Sequence, residues 1–206
     1  MSGGAALEAR DLALERGGRR VLAGVSFRAV AGAALLIRGA NGCGKTSLLR
    51  ALAGFLQPAA GDVRWRGAAL KAATADTLFI GHEAGFRPEL TARENLVCAL
   101  TLAGEPARAA DDALARAGLT ARADAAFGQL SAGQRRRVAL ARLFASTRAL
   151  WLLDEPATAL DDAGVAVLED AVAQHLGRGG IAVVTTHRPL AFAGGRSVVN
   201  TQALEL

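Results

Sequence analysis

The segment Gly39-Ala40-Asn41-Gly42-Cys43-Gly44-Lys45-Thr46 constrains this chain more than any other. It fits G-x-x-x-x-G-K-[ST] at every fixed position, and its flanks are those the pattern requires. Ala33 to Ile37, just ahead of it, is a short apolar run that reads as a strand. Thr46 to Leu56, just behind, carries Leu48, Leu49, Leu52 and Phe55 near helical spacing and reads as a helix ending at Gln57-Pro58. Glycines let such a loop turn its N–H groups inward, and the helix start adds the positive end of its dipole. Lys45 is then expected to reach β- and γ-phosphates, and the Thr46 hydroxyl to ligate Mg2+. A chance glycine-rich loop is the competing explanation, and the strand and helix on either side weigh against it.

The remaining segments alternate between short apolar runs and helical patterns. Val21 to Phe27, Asp62 to Trp65, Thr77 to Ile80, Leu150 to Leu153 and Ile181 to Val184 read as strands. Helix is expected from about Ala163 to Leu176. It is also expected from Thr91 to about Ala126, where Thr91-Ala92-Arg93-Glu94 forms a capping box, Gly104-Glu105-Pro106 is a break and Gly118 a stop. Buried apolar strands interleaved with helices predict an α/β fold with a mainly parallel sheet. A helical block between β-rich flanks predicts a helical lobe inserted over about residues 83–145. One domain carrying such a lobe suits 206 residues, of which 51% are hydrophobic and 21% charged. That balance excludes a disordered or collagen-like chain.

Several function classes fall away on composition. Cys43 and Cys98 make neither a CxxC pair nor a metal-ligand spacing, which suits a reducing compartment. The longest run without a charge, Ala51 to Gly61, is far shorter than the roughly 20 apolar residues of a spanning helix. Met1 to Glu8 has neither the basic start nor the apolar core of a signal peptide. A soluble, cytosolic domain is therefore expected. The net charge of +5 is spread along the chain, with Arg135-Arg136-Arg137 as its tightest cluster, and there is no tyrosine. Stacking platforms for single strands are thus scarce, and no nucleic-acid partner is expected.

Two further motifs bear on chemistry. Leu150-Trp151-Leu152-Leu153-Asp154-Glu155 is an apolar strand ending in adjacent carboxylates. Successive strand side chains point to opposite faces, so Asp154 and Glu155 are expected to do different jobs. Asp154 would hold Mg2+ through water, and Glu155 would polarise an attacking water. In Leu130-Ser131-Ala132-Gly133-Gln134, Ser131 reads as a helix N-cap with Gln134 completing a capping box. The exposed N–H groups there make a second anion site. A second site cannot easily serve the same phosphate from the same subunit, which points to two chains. Of the three histidines, His187 follows the run Ile181 to Thr185, His82 draws no functional reading, and His175 is expected on a helix surface.

Taken in order, these segments resemble the nucleotide-binding domain of an ABC transporter. Gly39 to Thr46 is similar to the Walker A motif, Leu130 to Gln134 to the signature, and Leu150 to Glu155 to Walker B with its catalytic Glu. Ala159-Leu160-Asp161 resembles the D-loop and His187 the switch histidine. The resemblance runs from about residue 7 to 200. It implies a P-loop NTPase core with an N-terminal antiparallel β element and the inserted helical lobe. It also implies hydrolysis of ATP with Mg2+ in a head-to-tail homodimer. Gly39, Ala40, Asn41, Gly42, Cys43, Gly44, Lys45, Thr46 and Ser47 would hold the nucleotide, clasped by Ser131, Gly133, Gln134 and Asp161 of the other copy. Glu155 and His187 would be catalytic, and Thr46 and Asp154 would hold the metal.

Three positions depart from the family pattern. Arg16, before Gly17-Gly18, stands where an aromatic residue usually stacks on adenine, and its guanidinium plane is able to stack in its place. Glu83 falls where the Q-loop Gln is usual, and a carboxylate there would approach Mg2+. Ala132 replaces the commoner signature Gly. Within the family, several stretches are similar to the haem exporter ATPases of cytochrome c biogenesis. They are Gly81-His82-Glu83, Glu89 to Leu96, Trp151 to Pro156 and Thr185-Thr186-His187-Arg188-Pro189-Leu190.

That likeness implies a peripheral subunit on the cytoplasmic side of a bacterial inner membrane, bound to integral-membrane subunits of the cytochrome c maturation system. Direct haem binding is not expected, for there is no CxxCH and no axial histidine pair. An exporter of another lipid, drug or peptide would carry the same residues, because cargo choice belongs to the membrane subunit. A soluble ABC-type ATPase is disfavoured by the lack of a tandem ATPase domain or long coiled coil. A module that binds ATP without turnover is disfavoured by Glu155 together with His187.

Overall fold

In the computed structural model, which describes residues 6–69, 75–192 and 200–206, the chain divides into two units. One comprises Met1–Gly81, Arg148–Glu155 and Val172–Leu206, the other His82–Thr147 and Pro156–Ala171.

The first unit holds two sheets. β1 (Leu7–Arg16) and β2 (Arg19–Ala29) form an antiparallel hairpin whose turn, Gly17-Gly18, has φ +59 and +73. Positive φ at both turn residues matches the right-handed twist of the strands, which is why glycine sits there. β3 (Ala33–Arg38) starts the second sheet, while β4 (Ala60–Trp65) and β5 (Ala68–Ala69) complete the first in the order β2-β1-β4-β5. β6 (Thr77–Ile80), β7 (Leu150–Asp154), β8 (Ile181–Thr185) and β9 (Asn200–Glu205) join β3 in the order β6-β7-β8-β3-β9. Every pairing in this second sheet is parallel. β7 and β8 are buried at every residue, as their unbroken apolar runs require.

The expected mainly parallel core and N-terminal antiparallel element are both present. The sequence pattern gives no separate place to β1, for a visible reason. Asp11 has φ +45 and its N–H is held by Ser26 Oγ at 2.9 Å, and the register shifts around Leu12 and Leu14. Leu12, Ala13 and Leu14 are therefore all buried, and the period of two on which strands are recognised is lost.

Helix α1 (Lys45–Leu52) stops short of the expected end at Gln57. Gly54 takes φ +80 and its N–H returns to Ala51 O at 3.0 Å, while Phe55 N returns to Arg50 O at 2.8 Å. This is the left-handed helix ending that glycine favours. Phe55 consequently leaves the apolar stripe and is 69% exposed, meeting Phe79 edge-on with centroids 5.5 Å apart. Leu48, Leu49 and Leu52 do pack inward, with Leu35, Ile37, Leu150, Leu152, Ile181 and Val183.

The second unit is helical. α2 (Ala92–Leu102), α3 (Ala110–Arg116) and α4 (Ala132–Ala145) pack through Leu96, Leu100, Leu114, Val138 and Ala141. The Thr91 capping box is formed in both directions, with Glu94 N donating to Thr91 Oγ1 at 3.1 Å and Thr91 N to Glu94 Oε2 at 2.8 Å. Gly118, with φ +73, follows the end of α3.

Helix α5 (Asp162–Gly177) begins in the second unit and ends in the first. Its His175 is not on a helix surface, as the sequence suggested, but 8% exposed. Only a glycine at position 180 makes this possible, since a Cβ there would overlap the imidazole ring. The ring lies flat on Trp151, with centroids 3.8 Å apart.

Candidate active site

The carboxyl ends of β3, β7 and β8 are level, because Ile37 pairs with Thr185 and Asp154 with Thr185. Segments that follow parallel strands gather beyond such an edge, which is where α/β sheets bind ligands. The three segments here are the glycine loop after β3, Glu155 after β7, and Thr186-His187 after β8.

In the glycine loop, Gly39 has φ +146, and a Cβ on it would lie 2.7 Å from Cys43 Sγ and 2.8 Å from Leu206 O. Gly44, the residue before α1, has φ +108 and no room either, its virtual Cβ being 2.8 Å from Leu22 Cγ. The loop is thus drawn tight onto its neighbours where only glycine fits. The first turn of α1 carries no acidic residue and no side-chain cap, which leaves its N–H groups to an anion. Lys45 is 7% exposed and its Nζ donates to Gly39 O at 2.9 Å and Ala40 O at 3.0 Å. Both partners are neutral. A buried ammonium held by these two carbonyls is poorly compensated, which suits an anion at the loop.

At the ends of β7 and β8 a hydrogen-bonded chain links four residues. Thr46 Oγ1 donates to Asp154 Oδ2 at 2.9 Å, and Thr185 Oγ1 donates to Asp154 Oδ1 at 2.7 Å. Glu155 N in turn donates to Thr185 Oγ1 at 2.9 Å. Beyond them, His187 Nε2 lies 3.2 Å from Glu155 Oε1. Asp154 is 2% exposed, whereas the Glu155 side chain is 20% exposed. Thr186 Oγ1 donates to Arg188 O at 2.8 Å and accepts from Arg188 N at 3.0 Å, so the turn around His187 is pinned.

The separation of Asp154 from Glu155 has a different origin from the one inferred from sequence. β7 ends at Asp154, and Glu155 has φ +47. The two carboxylates diverge because the chain turns left-handed between them, not because a strand alternates.

The donor set suits a hard divalent cation. A hydroxyl and a carboxylate oxygen sit 2.9 Å apart at Thr46 and Asp154. Among the described residues no group of three His, Cys, Asp or Glu side chains could hold a metal. The other ligands would then be phosphate oxygens and water, the usual company of Mg2+.

The second unit carries the remaining candidates apart from Arg16, which is in the first. Ser131 caps α4, with Gln134 N donating to Ser131 Oγ at 3.2 Å and Ser131 N to Gln134 Oε1 at 3.0 Å. Gly133 lies against the segment ahead of α5, so that a Cβ on it would be 2.8 Å from Ala159 O. Asp161 accepts from Gly164 N at 2.9 Å and is ion-paired with Arg137. The Gly164 N–H first, and Arg137 second, hold its carboxyl below the usual range. Glu83 is exposed, on the wall of a cavity of about 430 Å3 that Phe86, Ala132, Arg135 and Arg136 also line. Arg16 is exposed at the end of β1.

Sequence reasoning singled out neither Arg136 nor Thr185. Arg136 is 7% exposed, donating to Pro156 O at 3.1 Å and His82 O at 3.3 Å. A charged residue on the inward stripe of a helix was the available signal. For Thr185 it was a hydroxyl closing an otherwise apolar strand.

The model of the ABC transporter family matches residues 22–158. The cytochrome c biogenesis ATP-binding export protein CcmA 2 of Cupriavidus metallidurans is 49% identical over 196 residues, covering 92% of this chain and 93% of that one. The chain belongs to the ABC transporter family, among its cytochrome c biogenesis ATP-binding export proteins. The cytochrome c biogenesis ATP-binding export protein CcmA of Dechloromonas aromatica is 47% identical, over 92% of this chain and 96% of its own. Among solved structures, an ABC transporter ATP-binding protein from Pyrococcus furiosus has a TM-score of 0.82 at 24% identity, over 96% of each chain. An ATP-binding cassette solved as a dimer with ADP and Pi has a TM-score of 0.78 at 24% identity, over 88% of each. These structures share the fold of this ABC chain.

Proposed function

We propose that this chain is the ATP-hydrolysing subunit of a membrane ABC complex in c-type cytochrome maturation, where it powers haem export or the release of haem from a chaperone. The observation that carries the ATPase reading is the linked edge of the parallel sheet, from Thr46 through Asp154 and Thr185 to Glu155 and His187. The cytochrome c assignment is supported by the 49% identity to a cytochrome c biogenesis export protein over nearly all of both chains.

In this reading the loop N–H groups from Gly39 to Ser47 cradle the phosphates, and Lys45 leaves its two carbonyls for the β- and γ-phosphate oxygens. Thr46 and Asp154 hold Mg2+, which when bound offsets phosphate charge. Glu155 orients a water molecule and accepts its proton as the water oxygen bonds to the γ-phosphorus. The bridging bond to ADP breaks on the opposite side, and the proton passes on to the phosphate products. His187, beside Glu155, keeps that carboxylate in place and contacts the γ-phosphate. Arg16 stacks on the adenine.

Two copies pair head to tail around ATP, so that Ser131, Gly133, Gln134 and Asp161 of one copy close on the nucleotide held by the other. The pair is a peripheral assembly on the cytoplasmic side of a bacterial inner membrane. No helix among the described residues is long and apolar enough to cross a membrane. In this reading, integral-membrane subunits of the maturation system supply the path.

The test is capture of the Glu155→Gln chain from detergent-solubilised membranes in the presence of ATP, followed by identification of what comes with it. A multi-span subunit together with cytochrome c biogenesis proteins is the expected result. A membrane subunit of another transport system would discard the haem assignment and keep the ATPase. Ribosomes or no partner would discard the membrane role.

A further inference from the structure

β8 is apolar from Ile181 to Val184 and then ends on a threonine that is fully buried. A hydroxyl in such a place is costly unless it is hydrogen-bonded, and valine would fill the same space without that cost. Thr185 uses the donor and an acceptor of its hydroxyl together, towards Asp154 Oδ1 at 2.7 Å and from Glu155 N at 2.9 Å. The second bond falls at a strained point. Glu155 has φ +47, a left-handed conformation that a non-glycine residue keeps only when its surroundings hold it. There the chain leaves the β ladder, and Thr185 takes up the peptide N–H at the bend. The first bond occupies one oxygen of Asp154 while Thr46 Oγ1 occupies the other at 2.9 Å, so the carboxylate plane is held from both sides.

We propose that Thr185 is a positioning residue for ATP hydrolysis. Its one hydroxyl fixes the plane of the Asp154 carboxylate and the turn that carries Glu155 towards His187. The metal-holding and water-orienting carboxylates are thereby registered to each other through the end of a neighbouring strand. The inference rests on the ATPase reading above.

Thr185→Val removes both bonds and keeps the packing, while Thr185→Ser keeps both bonds and loses a methyl group. The assay uses the full-length chain assembled with its membrane subunits. In it, Thr185→Val is expected to lower kcat about 10- to 100-fold. KM for ATP stays within about twofold, and Thr185→Ser stays within about threefold of wild-type kcat. A second readout needs no turnover. With a fluorescent ATP analogue bound, Thr185→Val should require severalfold more Mg2+ for the same signal change, at unaltered affinity without Mg2+. Wild-type kcat in Thr185→Val would overturn the proposal. Equal losses in the valine and serine variants, or a matching loss of Mg2+-free affinity, would also overturn it, since both mark general damage to the fold. Wild type and Glu155→Gln run alongside keep the two claims apart. If wild type turns over and Glu155→Gln does not, the Thr185 result bears on positioning alone. If wild type fails to turn over, the ATPase reading fails and this proposal falls with it.

Discussion

Replacing His175 with phenylalanine removes a proton-binding group from the core without removing its ring. The imidazole stacks on Trp151 with planes 5° from parallel, and its Nε2 lies 3.2 Å from Ile181 O. Burial pushes its pKa down from 6.5 to about 4, against the opposing pull of the Ile181 and Ala149 carbonyls. The unfolded chain takes up this proton near pH 6.5, the folded chain only near 4. Stability from the neutral ring is therefore complete above 6.5 and drains away as the pH falls to about 4. Each pH step of one between those two values is worth about 1.4 kcal/mol, so the loss is about 3 kcal/mol.

Urea denaturation of the full chain at about pH 7 and about pH 4 measures it. His175→Phe should be less stable than wild type at the upper pH, having lost the bond to Ile181 O. Between the two pH values, however, it should lose about 3 kcal/mol less than wild type does. Parallel curves for the two proteins would refute the reasoning. So would a ring-proton NMR titration of His175 with its midpoint at the ordinary 6.5 rather than near 4. The chain has three histidines, which makes that signal straightforward to assign by substitution.

Other expectations follow from the same contacts. Lys45→Ala should cut ATP hydrolysis by about 100-fold or more in the complex with the membrane subunits, read as phosphate release, because the buried Lys45 ammonium carries the charge at the loop in this reading. Gly133→Ala would put a Cβ 2.8 Å from Ala159 O. The start of α4 must then shift, and ATP-driven pairing of two copies, followed by size-exclusion chromatography with Glu155→Gln as background, should be lost. Thr91→Ala breaks the α2 capping box, and should lower stability by about 1 kcal/mol in urea, with activity otherwise kept.

Much of the fold was legible because its signals are local. The loop from Gly39 to Thr46, the caps at Thr91 and Ser131, and the buried runs of β7 and β8 each depend on residues within a few positions of one another. The candidate site was legible for the same reason at Lys45, Thr46, Asp154, Glu155 and His187, which sit in short motifs. Thr185 was not, for a threonine at the end of an apolar strand is ordinary until Asp154 and Glu155 N are seen on either side of its hydroxyl. Arg136 belonged to the tightest cluster of arginines, and only the packed helix shows that this one turns inward.

The sequence by itself determined which segments become strands, loops and helix starts, since spacing, glycine placement and capping act through neighbouring backbone. Tertiary structure decided what those segments present. α1 ends at Leu52 and leaves Phe55 outside, because Gly54 was free to turn left-handed and did. His175 is interior, because Trp151 on one strand and the bare backbone of Gly180 before another leave a slot of its shape. Glu155 departs from its strand, because a hydroxyl on β8 takes up its N–H. The last two depend on an atom far away in the chain, and contacts between distant residues form only when strands pair and side chains close the remaining space.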